Sequence, residues 1–98
     1  TYDEAERLKA WPDSNAAEIV GQCSDILTSL DNWSSEVLES EIKSFASKKS
    51  YGLGKVIMPL RLAVFGSLDG PALFDIISIL GKTETLHRIQ YASTRMPT

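Results

Sequence analysis

Residues 18–30 read EIVGQCSDILTSL, and the pattern of this stretch indicates the fold class of the chain. Its apolar residues recur at the three- and four-residue spacing that gathers side chains on one face of an α-helix. They are Ile19, Val20, Cys23, Ile26, Leu27 and Leu30. Asp13 or Ser14 can cap this helix, because a short polar side chain accepts a hydrogen bond from the free N–H groups at a helix start. A helix with one buried face is therefore predicted up to about Leu30.

A short helix is predicted before this one. Its apolar residues repeat every three positions, at Tyr2, Ala5, Leu8 and Trp11. Pro12 should end it, because proline has no N–H to donate and crowds the preceding turn.

A third helix is predicted after Ser34, which is a suitable N-cap. Trp33 and Leu38 have the spacing of a hydrophobic staple around that cap. The inner face of the helix comprises Leu38, Ile42, Phe45 and Ala46. These first three amphipathic helices are interpreted as scaffold.

Residues 48–55, KKSYGLGK, combine two glycines with three lysines, which predicts a basic loop at the end of the third helix. The loop lacks the spacing and the terminal Lys-Ser/Thr of a nucleotide-binding loop. Lys48, Lys49 and Lys55 therefore either solvate a turn or contact a phosphate backbone.

A short helix is predicted over residues 59–65. Pro59 suits its first turn, where the missing N–H costs nothing, and Gly66 suits the left-handed residue that ends a helix. Residues 67–70, SLDG, form a turn. Pro71 is then predicted as the first residue of the next helix, which Gly81 ends.

That next helix is so apolar that a central position is predicted for it. Its apolar residues are Leu73, Phe74, Ile76, Ile77, Ile79 and Leu80. A last helix should begin at Lys82 or Thr83, and residues 93–98 should fray. Because no stretch shows strict apolar–polar alternation bounded by turns, the prediction is an all-α, compact bundle of about five to six short helices.

Composition limits the class of protein. With 98 residues and 43% hydrophobic residues, the chain can build one core, so residues 1–98 are predicted to form a single domain. The longest apolar stretches, such as residues 76–80, are far shorter than the roughly 20 residues that span a bilayer. No membrane segment or secretory leader is expected. Thr1 in place of Met suggests a segment of a longer protein.

Cys23 and His87 are the only cysteine and histidine. An intrachain disulfide and a zinc site of four Cys/His ligands are thereby excluded, and neither residue lies in a nucleophile motif. These counts argue against catalysis by this chain and fit a reducing, cytoplasmic setting.

Charge is divided unevenly along the sequence, although the net charge is only -3. Up to Ile42 ten acids stand against two bases, whereas from Lys43 onward eight bases stand against three acids. A polyanion should therefore meet the second half, because attraction depends on local charge. A solvated basic face without a partner is the alternative.

Three linked segments carry a family resemblance: residues 55–66, KVIMPLRLAVFG; residues 70–76, GPALFDI; and residues 80–89, LGKTETLHRI. Together they resemble the C-terminal anticodon-binding domain of bacterial-type glutamyl-tRNA synthetases, which are class I enzymes. The resemblance covers about residues 33–92. Phe65 departs from it, because the family usually has a small polar residue there. Thr83 replaces the usual acid.

The resemblance implies that Arg61, Gly70, Pro71 and Leu73 lie at the anticodon bases. Unpaired bases are read by stacking on flat or apolar groups and by donors to their edges, which fits an arginine beside a Gly-Pro turn. Four lysines are plausible phosphate contacts: Lys48, Lys49, Lys55 and Lys82. As an alternative, Arg61 forms an ion pair with Asp75 or Asp69 and joins two helices.

The resemblance also implies the function. The parent would be a glutamate–tRNA ligase that uses ATP with Mg²⁺, and this chain, which has no catalytic motif and no cofactor of its own, would bind the anticodon loop of tRNA(Glu). A monomer in the cytoplasm is expected. The alternative is a helical protein–protein interaction module, suggested by the acidic first half.

Overall fold

The computed structural model describes residues 2–97, and these form six α-helices without a strand. The helices are α1 (Glu4–Ala10), α2 (Ser14–Ser29), α3 (Ser35–Lys48), α4 (Leu53–Phe65), α5 (Leu73–Leu80) and α6 (Lys82–Arg95). The predicted all-α bundle of five to six short helices is confirmed. None of these helices is long and apolar enough to cross a membrane.

The first three helices begin and end close to the predicted positions because local capping decides their bounds. Asp13 caps α2 by accepting a hydrogen bond from Asn15 N at 3.0 Å. Ser34 caps α3 by accepting one from Val37 N at 3.3 Å. These bonds satisfy N–H groups that have no partner within a helix.

The apolar face predicted for α1 is partly wrong. Leu8 is 54% exposed, whereas Ala10 and Trp11 are buried. An α-helix turns about 100° per residue, so a three-residue repeat drifts around the helix and does not mark one face. Only the C-terminal end of α1 therefore enters the core.

The central helix is α4, and the prediction that α5 is central is wrong. α4 packs against each of the other five helices. α5 buries only Leu73 and Ile77, and Ile79 is 85% exposed. An eight-residue helix has two turns and packs by one face, so apolar residues around its circumference cannot all be covered.

The start of α4 also differs from the prediction. α4 begins at Leu53, so Pro59 is its seventh residue and not part of its first turn. Pro59 leaves the carbonyl of Lys55 without its helical N–H partner, but its ring is buried. Packing against the remaining helices compensates for the lost bond. The predicted basic loop is consequently shorter, and Lys55 belongs to the helix.

The C-terminal residues are ordered, so the prediction of a frayed tail is wrong for residues 93–97. α6 continues to Arg95, and Met96 is buried. The indole Nε1 of the fully buried Trp11 donates a hydrogen bond to the carbonyl of Pro97 at 2.8 Å. A buried indole N–H needs an acceptor, and this need fixes the tail. Thr98 lies outside the described residues.

Two further features complete the core. Cys23 is buried in α2, and burial raises the pKa of its thiol to about 12, so it fills space as a neutral side chain. Trp33 donates a hydrogen bond from Nε1 to the carbonyl of Ile77 at 2.8 Å, which ties the start of α3 to α5.

Candidate nucleic-acid interface

The α4–α5 turn, residues 66–72, contains the Gly-Pro pair predicted to read RNA. Gly66 ends α4 with φ 83°, and its N–H donates to the carbonyl of Leu62 at 2.9 Å. Gly70 has φ 142°. Residues with a side chain rarely adopt either conformation, so the turn depends on both glycines.

Phe65 explains why no side chain fits at Gly70. A Cβ atom built on Gly70 would lie 2.9 Å from Phe65 Cζ and closer still to Cε2. The ring is 39% exposed and covers the backbone of the turn at this point. Phe65, which departs from the family pattern, therefore supports the turn by direct contact.

Arg61 reaches this turn from the last part of α4. Its Nη1 donates a hydrogen bond to the carbonyl of Pro71 at 2.6 Å. Arg61 forms no ion pair with Asp69 or Asp75 among residues 2–97, so the structure does not contain the alternative ion pair. A guanidinium has five N–H donors, and the half-exposed Arg61 has no second hydrogen-bond partner among residues 2–97.

Pro71 and Leu73 occupy different environments. Pro71 is exposed, whereas Leu73 is 3% exposed and belongs to the core. α5 begins at Leu73 with Ala72 as N-cap, so the prediction that Pro71 is its first residue is wrong. The preference of proline for the first turn of a helix takes no account of tertiary packing. Here the packing of Leu73 sets the helix start. The apolar surface at this turn consists of Pro71 and not of Leu73.

The four predicted phosphate-binding lysines do not form one cluster. Lys48 and Lys49 are exposed at the turn between α3 and α4. Lys55 lies with Nζ 5.1 Å from the centre of the Tyr51 ring. Lys82 donates a hydrogen bond from Nζ to the carbonyl of Leu30 at 2.8 Å. This bond gives a partner to a carbonyl at the C-terminal end of α2. Lys82 therefore has a structural partner.

Two side-chain contacts were not predicted from the sequence, one at the α4–α5 turn and one at the end of α4. Glu6 of α1 accepts hydrogen bonds through Oε2 from Leu68 N at 2.9 Å and from Ser67 Oγ at 3.4 Å. Arg88 of α6 donates from Nη1 to the carbonyl of Val64 at 3.0 Å. No local spacing could have indicated contacts between such distant parts of the sequence.

Arg88 also carries an ion pair. Its Nε lies 2.8 Å from Glu84 Oε2, and the hydrogen bond from Arg88 lowers the pKa of the Glu84 carboxyl. The end of α4 is thus fixed by α6, while the turn that follows it is fixed by α1 and by Arg61.

A comparison with protein families decides the relationship. Residues 1–93 match the family model described as an anticodon binding domain. The chain belongs to this family. The family membership favours RNA binding over the protein–protein interaction module.

Curated relatives of this anticodon-binding domain are glutamate–tRNA ligases. The enzyme of Christiangramia forsetii is 39% identical over 94% of the chain, and that of Flavobacterium johnsoniae is 38% identical over 94%. The chain spans 18% of the length of each.

A solved structure has the same fold. The crystal structure of a glutamate tRNA ligase from Elizabethkingia meningosepticum in complex with its amino acid matches 98% of the chain and 19% of that protein, with a TM-score of 0.90 and 35% identity. The resemblance predicted from the three sequence segments is confirmed.

Proposed function

We propose that this domain binds the anticodon loop of tRNA(Glu) through the α4–α5 turn and Arg61. In this proposal it is the C-terminal part of a glutamate–tRNA ligase that attaches glutamate to tRNA with ATP. The observation that carries the proposal is the contact between Arg61 and the carbonyl of Pro71, which holds a guanidinium with spare donors beside an exposed proline.

The chemistry of these groups suits unpaired nucleotides. A guanidinium offers flat, always charged donors to a base edge or a phosphate, and the Pro71 ring offers an apolar surface for a base. The first N–H groups of α5 follow directly after Pro71, and α5 has no side-chain cap. They add uncharged donors next to the guanidinium.

Charge supports an approach from this side. The acids concentrate before Ile42, and Lys48, Lys49 and Lys55 lie at or beside the α3–α4 turn. Along α4, Lys55 and Arg61 are six residues apart, which is about 9 Å along the helix axis. We propose these lysines as phosphate contacts for RNA that extends from Arg61 toward the α3–α4 turn.

The chemical step belongs to other parts of such a ligase. Among residues 2–97 no three His, Cys, Asp or Glu side chains are grouped to hold a metal ion. We propose that ATP and Mg²⁺ bind elsewhere in the ligase, and no chemical step is assigned to the residues described. We propose a monomeric module of a cytoplasmic ligase that contributes to tRNA selection.

Replacement of Arg61 tests the proposal. Arg61→Ala should weaken binding of a tRNA(Glu) anticodon stem-loop by about tenfold or more, because hydrogen bonds to charged groups contribute about 1.5–3 kcal/mol. Arg61→Lys should recover little, since lysine lacks the planar donor set. Fluorescence anisotropy of a labelled stem-loop at several salt concentrations measures both the affinity and its salt dependence.

The matched control is Arg95→Ala, which removes the same charge from α6, where the Arg95 guanidinium lies over the Tyr91 ring. It should change the affinity by less than about threefold at physiological salt, since screening limits distant charges. Equal losses for Arg61→Ala and Arg95→Ala, or full recovery in Arg61→Lys, would show that Arg61 contributes charge alone.

A further inference from the structure

The Glu6 carboxylate of α1 lies against the α4–α5 turn. Its Oε2 accepts the N–H of Leu68 at 2.9 Å and the hydroxyl of Ser67 at 3.4 Å, across more than 60 residues of sequence. Glu6 forms no ion pair among residues 2–97. Its carboxylate therefore contacts the backbone of the turn and not a neighbouring lysine or arginine side chain.

The turn needs such an acceptor. Backbone N–H groups that leave water must find a partner, and a carboxylate forms a stronger hydrogen bond than a neutral oxygen. Glu6 fixes the turn at Leu68, and Arg61 fixes it at Pro71. Only Asp69 and the conformationally free Gly70 lie between these two fixed points.

We propose that Glu6 is a positioning residue for RNA recognition, which rests on the function proposed above. It holds the α4–α5 turn in the conformation in which Pro71 and Arg61 meet the anticodon loop. Without it, the segment around Gly70 samples other conformations. The apparent affinity then falls in proportion to the fraction of molecules that remain competent to bind.

Electrostatics alone predicts the opposite sign. An acid at an RNA surface repels phosphates, so removing its charge should strengthen binding if Glu6 had no positioning role. Asp69 provides the matched control, because it is an acid of the same turn and its carboxylate accepts no hydrogen bond from the described residues. If Glu6→Ala loses affinity for the stem-loop and Asp69→Asn does not, Glu6 acts by positioning the turn and not through its charge.

The first measurement is the affinity of each variant for the tRNA(Glu) anticodon stem-loop. Glu6→Ala should bind about fivefold to tenfold more weakly, following the lost competent fraction. The affinity of Glu6→Gln should stay within about twofold to threefold of that of the unsubstituted chain, because its amide oxygen can still accept a hydrogen bond from the Leu68 N–H. Asp69→Asn should bind equally well or more tightly. Binding by Glu6→Ala at or above the parent affinity overturns the proposal.

The second measurement needs no RNA and is amide hydrogen exchange by NMR. Glu6→Ala should speed exchange at Leu68 while core amides such as those of Leu62 and Val64 keep their protection. Unchanged exchange at Leu68 contradicts the positioning role directly.

The two proposals can fail separately. If the unsubstituted chain does not bind the stem-loop, the proposed function fails and this inference fails with it. If Arg61→Ala loses affinity but Glu6→Ala does not, only the inference fails.

Discussion

Replacing Trp11 with alanine is expected to lower the free energy of unfolding by about 3–5 kcal/mol, because a large buried side chain leaves a cavity that the helices only partly refill. Trp11 is fully buried where α1 ends, and its indole also holds the carbonyl of Pro97. The substitution therefore leaves a cavity in the core and also removes the hydrogen bond that holds the C-terminal residues. For a domain of this size the loss is a large part of the total stability.

Two variants separate these contributions in urea denaturation followed by circular dichroism. Trp11→Phe keeps most of the apolar volume but loses the N–H, so a smaller loss of about 1–2 kcal/mol is expected. Leu8→Ala truncates an exposed residue of the same helix and should change stability by less than about 1 kcal/mol. A Trp11→Ala domain as stable as Leu8→Ala would contradict the packing described for α1.

Replacing Gly70 with alanine is expected to weaken stem-loop binding about tenfold while the helices stay folded. The backbone conformation at φ 142° costs a residue with a side chain about 1–3 kcal/mol. The new Cβ would also press on the Phe65 ring. The turn must therefore rearrange, or Phe65 must move and cease to support the turn, and either change is expected to disturb the position of Pro71 beside Arg61.

Circular dichroism and anisotropy measure the two effects of Gly70→Ala separately. The double variant Gly70→Ala/Phe65→Ala removes the steric contact but not the backbone strain, so its affinity should recover only in part. Gly21→Ala is the control, since Gly21 lies within α2 with open space around it and should gain up to about 1 kcal/mol of stability. Parent-like binding by Gly70→Ala would show that the turn tolerates a side chain.

The bounds of α2 and α3 and the end of α4 could be predicted because each depends on a few neighbouring residues. Asp13 and Ser34 accept N–H groups two or three residues further along the chain, and Gly66 adopts the left-handed conformation that ends a helix. Such contacts are visible as sequence patterns. The segments that resemble synthetases placed Arg61 beside the Gly-Pro turn, and the hydrogen bond from Arg61 to the carbonyl of Pro71 is present, whereas the role of both residues in RNA binding stays a prediction.

The remaining features depend on contacts between distant residues. Pro59 lies inside α4 because the surrounding helices cover it, and Leu73 is buried because α5 packs by that side. The tail is ordered by Trp11, 86 residues before Pro97. Glu6 reaches Leu68 across 62 residues. No periodicity or capping rule encodes such pairs, so the packing role of Leu73 and the contribution of Glu6 required the structure.

The most direct test of RNA recognition by the α4–α5 turn is NMR mapping of the isotope-labelled chain during titration with the tRNA(Glu) anticodon stem-loop. The largest shifts are expected at the backbone amides of residues 66–72 and at the Arg61 side-chain Nε, with smaller ones near Lys48 and Lys49. Shifts concentrated on the acidic α2, with residues 66–72 and Arg61 unchanged at saturation, would contradict the account.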